Sequence, residues 1–434
     1  DVFPKNSTDG WGGAKARAYS FGAVSETFDD SMWRSVDIPH DFVVEGDYTQ
    51  KKVQGSDMQK IPEMESMDSR HFAGGSLEGG TAWYRKHFDI PQDCENKRIY
   101  IHFDGVYRNC TIYLNEYYIG KYESGYTSFY YDITDFVNIG GENLLAVRVD
   151  ATGREGWWYE GGGIYRNVWL EIKENISAAY NGVFIYSDVA LEEKSAVLNV
   201  QTEIENKQLN DCEQIIYNAD KKKIVQTENT VLSYAWDNTF CKQNIVLNNV
   251  TLWDIENPYL YSLKTNIYAN GKLTYTVTTN FGVRDIYFDA NKGFFLNGKN
   301  VKIKGLCCHH DHAGLGIAQN KNVFEYRIAQ MKSMGANAYR SAHHMPTDEL
   351  LDICDRIGMF VFDETRRMSS APQDLECLRT MVKHARNHPS VFLYGIGNEE
   401  IFSQHRKETA RTTVTMKTEI RKLDPSRNIT SAVV

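Results

Sequence analysis

No apolar stretch in this chain of 434 residues approaches the roughly 18 residues that a membrane-spanning helix needs. The chain begins Asp1-Val2-Phe3-Pro4-Lys5, without the charged-then-apolar pattern of a secretory leader. Basic residues are in deficit, because 48 Lys and Arg stand against 57 Asp and Glu, giving a net charge of −9. Nucleic-acid phosphates require a basic surface, so this charge argues against nucleic acid as a partner. We therefore expect a cytoplasmic protein that binds neither nucleic acid nor a membrane.

Cysteine is also scarce, and the eight copies do not form a disulfide framework. Most stand singly along the chain, which is typical of buried thiols in a reducing compartment. The pair Cys307-Cys308, followed by His309-His310-Asp311-His312, resembles a metal cluster. Adjacent residues of a strand point to opposite faces, so one ion could not gather them all. We predict no metal there.

Residues 1–283 have the pattern of two β domains. In residues 1–176, Ile99, Ile101 and Phe103 alternate with polar residues at the two-residue period of a half-buried strand. Short strands separated by turns favour a jelly-roll sandwich here, and a second antiparallel sandwich over residues 177–283. Residues 45–81 are polar and too long for an ordinary connection, so we expect them to be functional or disordered.

From residue 284 the pattern changes to strands alternating with helices, which indicates βαβ units and a parallel sheet. The first strand is predicted at Val301-Lys302-Ile303-Lys304, and the last at residues 429–434. Between them we predict three more strands and four helices. The helices are one with Phe324, Ile328 and Met331 on one face, one that begins near Thr347, one with Pro372 near its start and one around Lys407–Leu423. A (β/α)₈ barrel has eight such units, so residues 284–434 predict an incomplete TIM barrel.

Ionisable and amide side chains follow four successive predicted strands of this barrel. Reacting groups in such barrels lie at the carboxyl ends of the strands. The side chains at these positions are His309, His310, Asp311 and His312 after the first strand, Arg340, His343 and His344 after the second, Asp363 and Glu364 after the third, and Asn398, Glu399 and Glu400 after the fourth. We predict that this edge of the sheet carries the active site.

The strand that ends in Asn398-Glu399, preceded by Asn387-His388-Pro389-Ser390, resembles the signature of glycoside hydrolase family 2 and its wider clan. Further similar motifs follow in the family's order. They are Trp83-Tyr84-Arg85-Lys86, residues 161–168, Gly282-Val283-Arg284, residues 304–309, residues 340–343 and Phe362-Asp363-Glu364. The family's domain order is a sugar-binding jelly roll, an immunoglobulin-like sandwich and a TIM barrel, and it implies the same order here.

The resemblance implies a retaining β-glycosidase, most simply a β-galactosidase, with Glu399 as the acid/base. Retaining hydrolysis needs a second carboxylate, the nucleophile, about 5–5.5 Å away. By resemblance Asn398 binds the sugar 2-OH, Arg340 orients the nucleophile, and His309 and His343 line the pocket. Asp363 and Glu364 are expected to support the same substrate site. In this family the nucleophile follows a later strand, so we expect it beyond residue 434, and we expect the 434-residue chain alone to be inactive.

Two departures and two alternatives complete the prediction. Some β-galactosidases bind magnesium shortly after the third strand, but residues 365–370 offer neither the Glu nor the His, so no cofactor is expected. Residues 342–346, Ala-His-His-Met-Pro, differ from the commoner motif and put the outer pocket in question.

A β-glucuronidase or β-galacturonidase stays open as an alternative, although the short loop at residues 311–316 resembles the galactosidases more. A non-catalytic carbohydrate-binding protein is the second alternative that stays open. The full-length protein is expected to bind β-linked carbohydrate and to form a homo-oligomer.

Overall fold

The computed structural model of the protein describes residues 22–48, 77–153, 158–205, 211–227, 231–235, 238–401 and 403–433. The chain divides into two compact units, the first made of Asp1–Ile172 with His309–Asn320 and the second of Lys173–Cys308 with Lys321–Val434. Most of the long segment predicted at residues 45–81 lies outside the described residues. In the described ranges, no helix combines the length and apolar character needed to cross a membrane.

The first unit contains a β-sandwich. Its strands are β1 (Thr81–Ile90), β2 (Arg98–Phe103), β3 (Cys110–Leu114), β4 (Tyr117–Tyr122), β5 (Phe129–Asp132), β6 (Gly141–Asp150) and β7 (Val168–Lys173). One sheet has the order β1-β6-β3-β4 and the other β5-β2-β7. The alternating residues Ile99, Ile101 and Phe103 of β2 are buried together with Ile112 and Val147 of the other sheet. The strand is confirmed, but Tyr100 and His102 of its other face are buried as well, so β2 is covered on both faces and is not half-buried as predicted.

The second unit begins with another sandwich, of two four-stranded antiparallel sheets. Its strands are β8 (Ser177–Ala190), β9 (Ser195–Glu205), β10 (Asp211–Tyr217), β11 (Lys223–Thr227), β12 (Val231–Ala235), β13 (Asn238–Asn248), β14 (Tyr261–Ala269) and β15 (Lys272–Phe281). The sheet orders are β11-β10-β14-β15 and β12-β13-β9-β8. Leu198, Val200, Ile216 and Leu263 form part of the core between them.

Along the chain, a small antiparallel sheet comes after this sandwich and before a five-stranded parallel sheet. The small sheet consists of β16 (Ile286–Asp289), β17 (Gly293–Leu296) and β18 (Lys299–Asn300). The elements that follow are β19 (Gly305–Cys308), α1 (Lys321–Ser333), β20 (Ala338–Ser341), α2 (Asp348–Ile357), β21 (Phe360–Glu364), α3 (Pro372–Ala385), β22 (Val391–Asn398), α4 (Lys407–Leu423) and β23 (Asn428–Ala432). The five strands are parallel and lie in chain order. Five strands alternating with four helices confirm the incomplete (β/α)₈ architecture.

The helices form where the sequence predicts them. The face shared by Phe324, Ile328 and Met331 is the buried face of α1. At the start of α2, the hydroxyl of Thr347 accepts a hydrogen bond from the backbone N–H of Leu350, which caps the helix. Helix α3 begins at Pro372, whose missing N–H costs nothing in the first turn.

The first parallel strand differs from its prediction. It begins at Gly305, whereas Val301 and Ile303 pack against the apolar cluster that contains Trp253 and Phe360. Pairing with the next strand starts at the Lys304 carbonyl, which accepts from the backbone N–H of Ala338. The alternation at residues 301–304 therefore reflects burial of two side chains and not a strand of the sheet.

Candidate active site

Four polar side chains meet at the carboxyl ends of β20, β21 and β22. The Arg340 Nη2 donates to Oε1 of Glu364 at 2.8 Å and to Oδ1 of Asn398 at 2.6 Å. The second carboxylate oxygen of Glu364, Oε2, lies 2.8 Å from Nδ1 of His343. Arg340, His343, Glu364 and Asn398 thus form one hydrogen-bonded group, and all four are among the side chains predicted for the site.

Glu364 is the fully buried member of this group and contacts both Arg340 and His343. Its side chain is fully buried, and both oxygens have a cationic or imidazole partner. Burial by itself would lower the pKa of Arg340, but the hydrogen bonds and the charge of Glu364 outweigh burial and raise it. Gly395 on β22 makes room for the side chains of Phe362 and Glu364, because a Cβ there would lie 2.6 Å from the Phe362 ring and 2.9 Å from Cγ of Glu364. The sequence predicted Glu364 only as a supporting residue, whereas the structure puts it at the core of the network.

The orientation of the Asn398 amide follows from its partner. A guanidinium can only donate, so Oδ1 must face Arg340, and the Nδ2 amino group is directed elsewhere as a donor. The pairing of β22 with β23 shifts register between Gly395 and Asn398, and irregularities of this kind re-aim side chains at the end of a strand. Asn398 therefore offers an N–H donor fixed by a buried ion pair.

Glu399 follows directly and turns the chain away from the sheet. Its backbone is left-handed, with φ of 51°, and its N–H donates to the carbonyl of Ala432 on β23 at 3.0 Å. A left-handed non-glycine residue costs on the order of 1–2 kcal/mol, and such residues concentrate at functional sites. The Glu399 side chain is exposed, whereas Glu400 is half-buried, and burial raises the pKa of Glu400.

Three other carboxylates of this domain, Asp363, Glu408 and Glu419, do not join this network, although Asp363 was predicted for the site. Asp363 precedes Glu364 on β21 and therefore points to the other face of the sheet. It is fully buried there, and burial raises its pKa well above the usual range. Glu408 and Glu419 lie on α4, where Glu419 pairs with Arg379.

His309 belongs to the first compact unit, although it is the residue after Cys308, the last of β19. Its ring stacks on Trp158, with centroids 4.4 Å apart and an interplanar angle of 13°. The indole N–H of Trp158 donates to the hydroxyl of Tyr126 at 3.0 Å. Sequence reasoning did not single out Trp158, because a stack between residues 151 positions apart leaves no local pattern.

The amino ends of the strands carry a second polar cluster, made of Asp352, Asp355 and His388. Among the residues that the structure describes, this is the group whose ligand atoms come within 4.8 Å of one another, as a metal site requires. The imidazole Nδ1 of His388 lies 2.7 Å from Oδ2 of Asp355, and Oδ1 of Asp355 accepts from the N–H of Ser390. These bonds fix the start of β22, so we interpret the cluster as an ion pair of the scaffold.

Comparison with known proteins identifies the family. The model for the glycosyl hydrolases family 2 sugar binding domain matches residues 24–174, and the family 2 model matches residues 179–284. The model for the family 2 TIM barrel domain matches residues 289–374 and 367–434. The chain belongs to glycosyl hydrolase family 2. The residues matched by the TIM barrel model include the Arg340–Glu364–Asn398 group described above.

Several relatives of this family 2 chain are similar over most of its length. The beta-galactosidase BoGH2A of Bacteroides ovatus is 36% identical over 395 residues, which are 87% of this chain and 44% of the relative. A putative beta-glucuronidase of Formosa agariphila is 32% identical, over 86% of this chain and 35% of the relative. A crystal structure of a family 2 member from Bacteroides cellulosilyticus superposes with a TM-score of 0.85 at 32% identity, covering 95% of this chain and 54% of that one. The chain thus spans about half or less of the length of these relatives.

Proposed function

We propose that the full-length protein is a retaining β-glycosidase with Glu399 as acid/base, and that it prefers β-galactosides. The observation that carries this proposal is the Arg340–Glu364–Asn398 network with Glu399 as the next residue after Asn398. Retaining hydrolysis uses one carboxylic acid to protonate the leaving oxygen and a second carboxylate to attack the anomeric carbon. In this proposal the nucleophile belongs to a part of the protein outside these 434 residues.

The network gives each residue a chemical role. Because Arg340 holds the amide oxygen of Asn398, the amide N–H can donate to the sugar 2-OH, a contact that strengthens in the transition state. The left-handed turn at Glu399 directs its side chain off the strand end, where it can reach a leaving oxygen. Arg340, bound to Glu364, presents its positive charge at the same edge and can orient the incoming nucleophile. His343 is held by Glu364 and lines the sugar pocket, and His309 is proposed to do the same.

Galactose is the proposed sugar because BoGH2A, a beta-galactosidase, is more similar to this chain than the glucuronidases, which are 26–32% identical. The short loop at residues 311–316 supports the same choice. A β-glucuronidase is the second candidate. It is favoured by the glucuronidase relatives and by the fold shared with Bacteroides uniformis beta-glucuronidase 2, at a TM-score of 0.78 and 26% identity.

The acid/base role is tested with Glu399→Gln in the full-length enzyme. Removing a general acid costs about 10²–10⁴ in rate when the leaving group needs a proton. We expect such a loss in kcat/KM for alkyl β-galactosides, and a much smaller loss in the first step for dinitrophenyl galactosides, which need little protonation. Glu400→Gln is the matched control and is expected to change both rates less than about threefold. Equal losses by Glu399→Gln on the two substrates would contradict the acid role.

The sugar preference is tested separately with wild-type protein. We expect a higher kcat/KM for nitrophenyl β-galactoside than for nitrophenyl β-glucuronide, measured at the same pH and ionic strength. The reverse order would favour the glucuronidase candidate and leave the glycosidase assignment standing. Binding of sugars without turnover of any β-glycoside would instead favour a non-catalytic carbohydrate-binding protein.

A further inference from the structure

Asp41 joins three separate segments of the first compact unit. Its carboxylate is 2% exposed. Oδ1 accepts hydrogen bonds from the backbone N–H groups of Val43 and Gly162, both at 3.0 Å. Oδ2 accepts from the hydroxyl of Tyr159 at 2.8 Å and from the N–H of Ile317 at 2.9 Å. One buried carboxylate thus connects its own turn, the segment after residue 157 and the loop at residues 309–320.

The two partner segments carry glycines where the carboxylate approaches them. Gly316 has φ of 60°, and a Cβ there would lie 2.1 Å from Oδ2 of Asp41. Gly161 has φ of 67°, and its Cβ would lie 2.6 Å from the same oxygen. Left-handed backbone and absent side chains are both needed for these contacts. The local sequence is therefore adapted to Asp41 on both sides.

The same two segments meet again at the Trp158–His309 stack. Trp158 lies next to Tyr159, and His309 begins the loop that contains Ile317. The loop has its own turn, with the N–H of His312 donating to the carbonyl of Gly316 at 2.9 Å. The loop is therefore held at its start by the stack of His309 on Trp158, and near its end by the bond from Ile317 to Asp41.

We propose that Asp41 is a positioning residue for the glycosidase reaction: it holds the loop that follows β19 so that His309 keeps its orientation. This inference rests on the proposed function. A carboxylate suits this position, because Oδ1 accepts from three backbone N–H groups and Oδ2 accepts from one backbone N–H and one hydroxyl. An asparagine would direct its own N–H₂ group either at the backbone donors of Oδ1 or at the N–H of Ile317, and so would lose at least one hydrogen bond.

The proposal is tested by a double-mutant cycle in the full-length enzyme with Asp41→Asn and His309→Ala. A displacement of about 1 Å in a site can cost up to ~10²-fold, so we expect Asp41→Asn to lower kcat/KM by about 10–100-fold. In the His309→Ala background the same change should cost less than about threefold, because the residue through which Asp41 acts is gone. Tyr159→Phe removes the hydroxyl that donates to Asp41 and should cost about fivefold, which keeps the test open if Asp41→Asn folds poorly.

Asp150→Asn serves as the matched control, since Asp150 is a carboxylate of the same unit that bonds Thr152 and Arg148 instead of the loop. Its kcat/KM should stay within about twofold of wild type. Hydrogen–deuterium exchange supplies a readout independent of activity: Asp41→Asn should speed exchange at residues 309–320, and Asp150→Asn should not.

Equal losses from Asp41→Asn in both backgrounds would overturn the inference while leaving the glycosidase function intact. Unchanged exchange at residues 309–320 would overturn it as well. If wild-type protein hydrolyses no β-glycoside, the proposed function fails, and the exchange result alone decides whether Asp41 holds the loop.

Discussion

Replacing His388 by glutamine should remove a stabilising ion pair in a pH-dependent way. His388 precedes β22 and its side chain is 15% exposed, while that of Asp355 is 5% exposed. The imidazole Nδ1 lies 2.7 Å from Oδ2 of Asp355, and the backbone carbonyl of His388 accepts from Arg427. The pair therefore lies in a nearly dry environment where its charges are poorly screened.

The magnitude follows from the pKa of His388. Burial disfavours the charged ring, but the carboxylate of Asp355, with Asp352 and Asp348 behind it, outweighs burial and raises the pKa from 6.5 to about 9. That difference corresponds to about 3 kcal/mol of stabilisation when the histidine is protonated. Because the folded pKa is the higher one, the stabilisation is complete below pH 6.5 and is lost as the pH rises through 9.

The assay is thermal unfolding of the wild type and His388→Gln between pH 6 and 9.5. At pH 6 the variant should melt about 6–12 °C lower, since 1 kcal/mol corresponds to roughly 2–4 °C in a unit of this size. The two curves should converge towards pH 9.5, where the wild-type ring is neutral as well. His87→Gln is the matched control, because the His87–Glu142 pair is exposed and such pairs contribute less than about 1 kcal/mol. Parallel curves across the whole pH range would refute the reasoning.

Two further changes test the network and the scaffold. Arg340→Lys should lower kcat for β-galactosides about 100-fold or more without changing the melting temperature by over a few degrees, because an ammonium cannot replace the planar contacts to Glu364 and Asn398. An unchanged kcat would separate this network from catalysis. Lys332→Met should destabilise the protein by about 1–3 kcal/mol in urea unfolding, because it leaves the carbonyls of Ile357 and Gly358 without their donor at 2.8 Å. The exposed Lys321→Met should have no such effect, and equal stability of the two variants would contradict the role of Lys332.

Much of the scaffold could be predicted from local sequence patterns. Helix α4 has the predicted bounds of Lys407–Leu423, and the buried face of α1 is the predicted one, since both follow from the spacing of apolar residues. The position of the first parallel strand was predicted wrongly: it begins at Gly305 and not at Val301. Val301 and Ile303 alternate like strand residues, yet their burial is provided by Trp253, a residue of the preceding segment. Periodicity reports which side chains are buried but not which backbone they pair with.

The same distinction between local pattern and distant contact applies to the candidate site. Asn398 and Glu399 could be predicted because they end a predicted strand, where a barrel concentrates its chemistry, and because that strand resembles the family 2 signature. The contacts of the buried Glu364 could not be predicted, because they depend on a guanidinium 24 residues away and on the missing side chain of Gly395. The contacts of Asp41 leave no local pattern either, because its partner Ile317 is 276 positions away in the sequence. Only the glycines at 161 and 316 leave a trace of it in the sequence, and a glycine reports that something approaches closely without saying what. Residues at strand ends are thus easier to find from sequence than the residues that hold them, because the first occupy positions fixed by the fold and the second are defined by contacts.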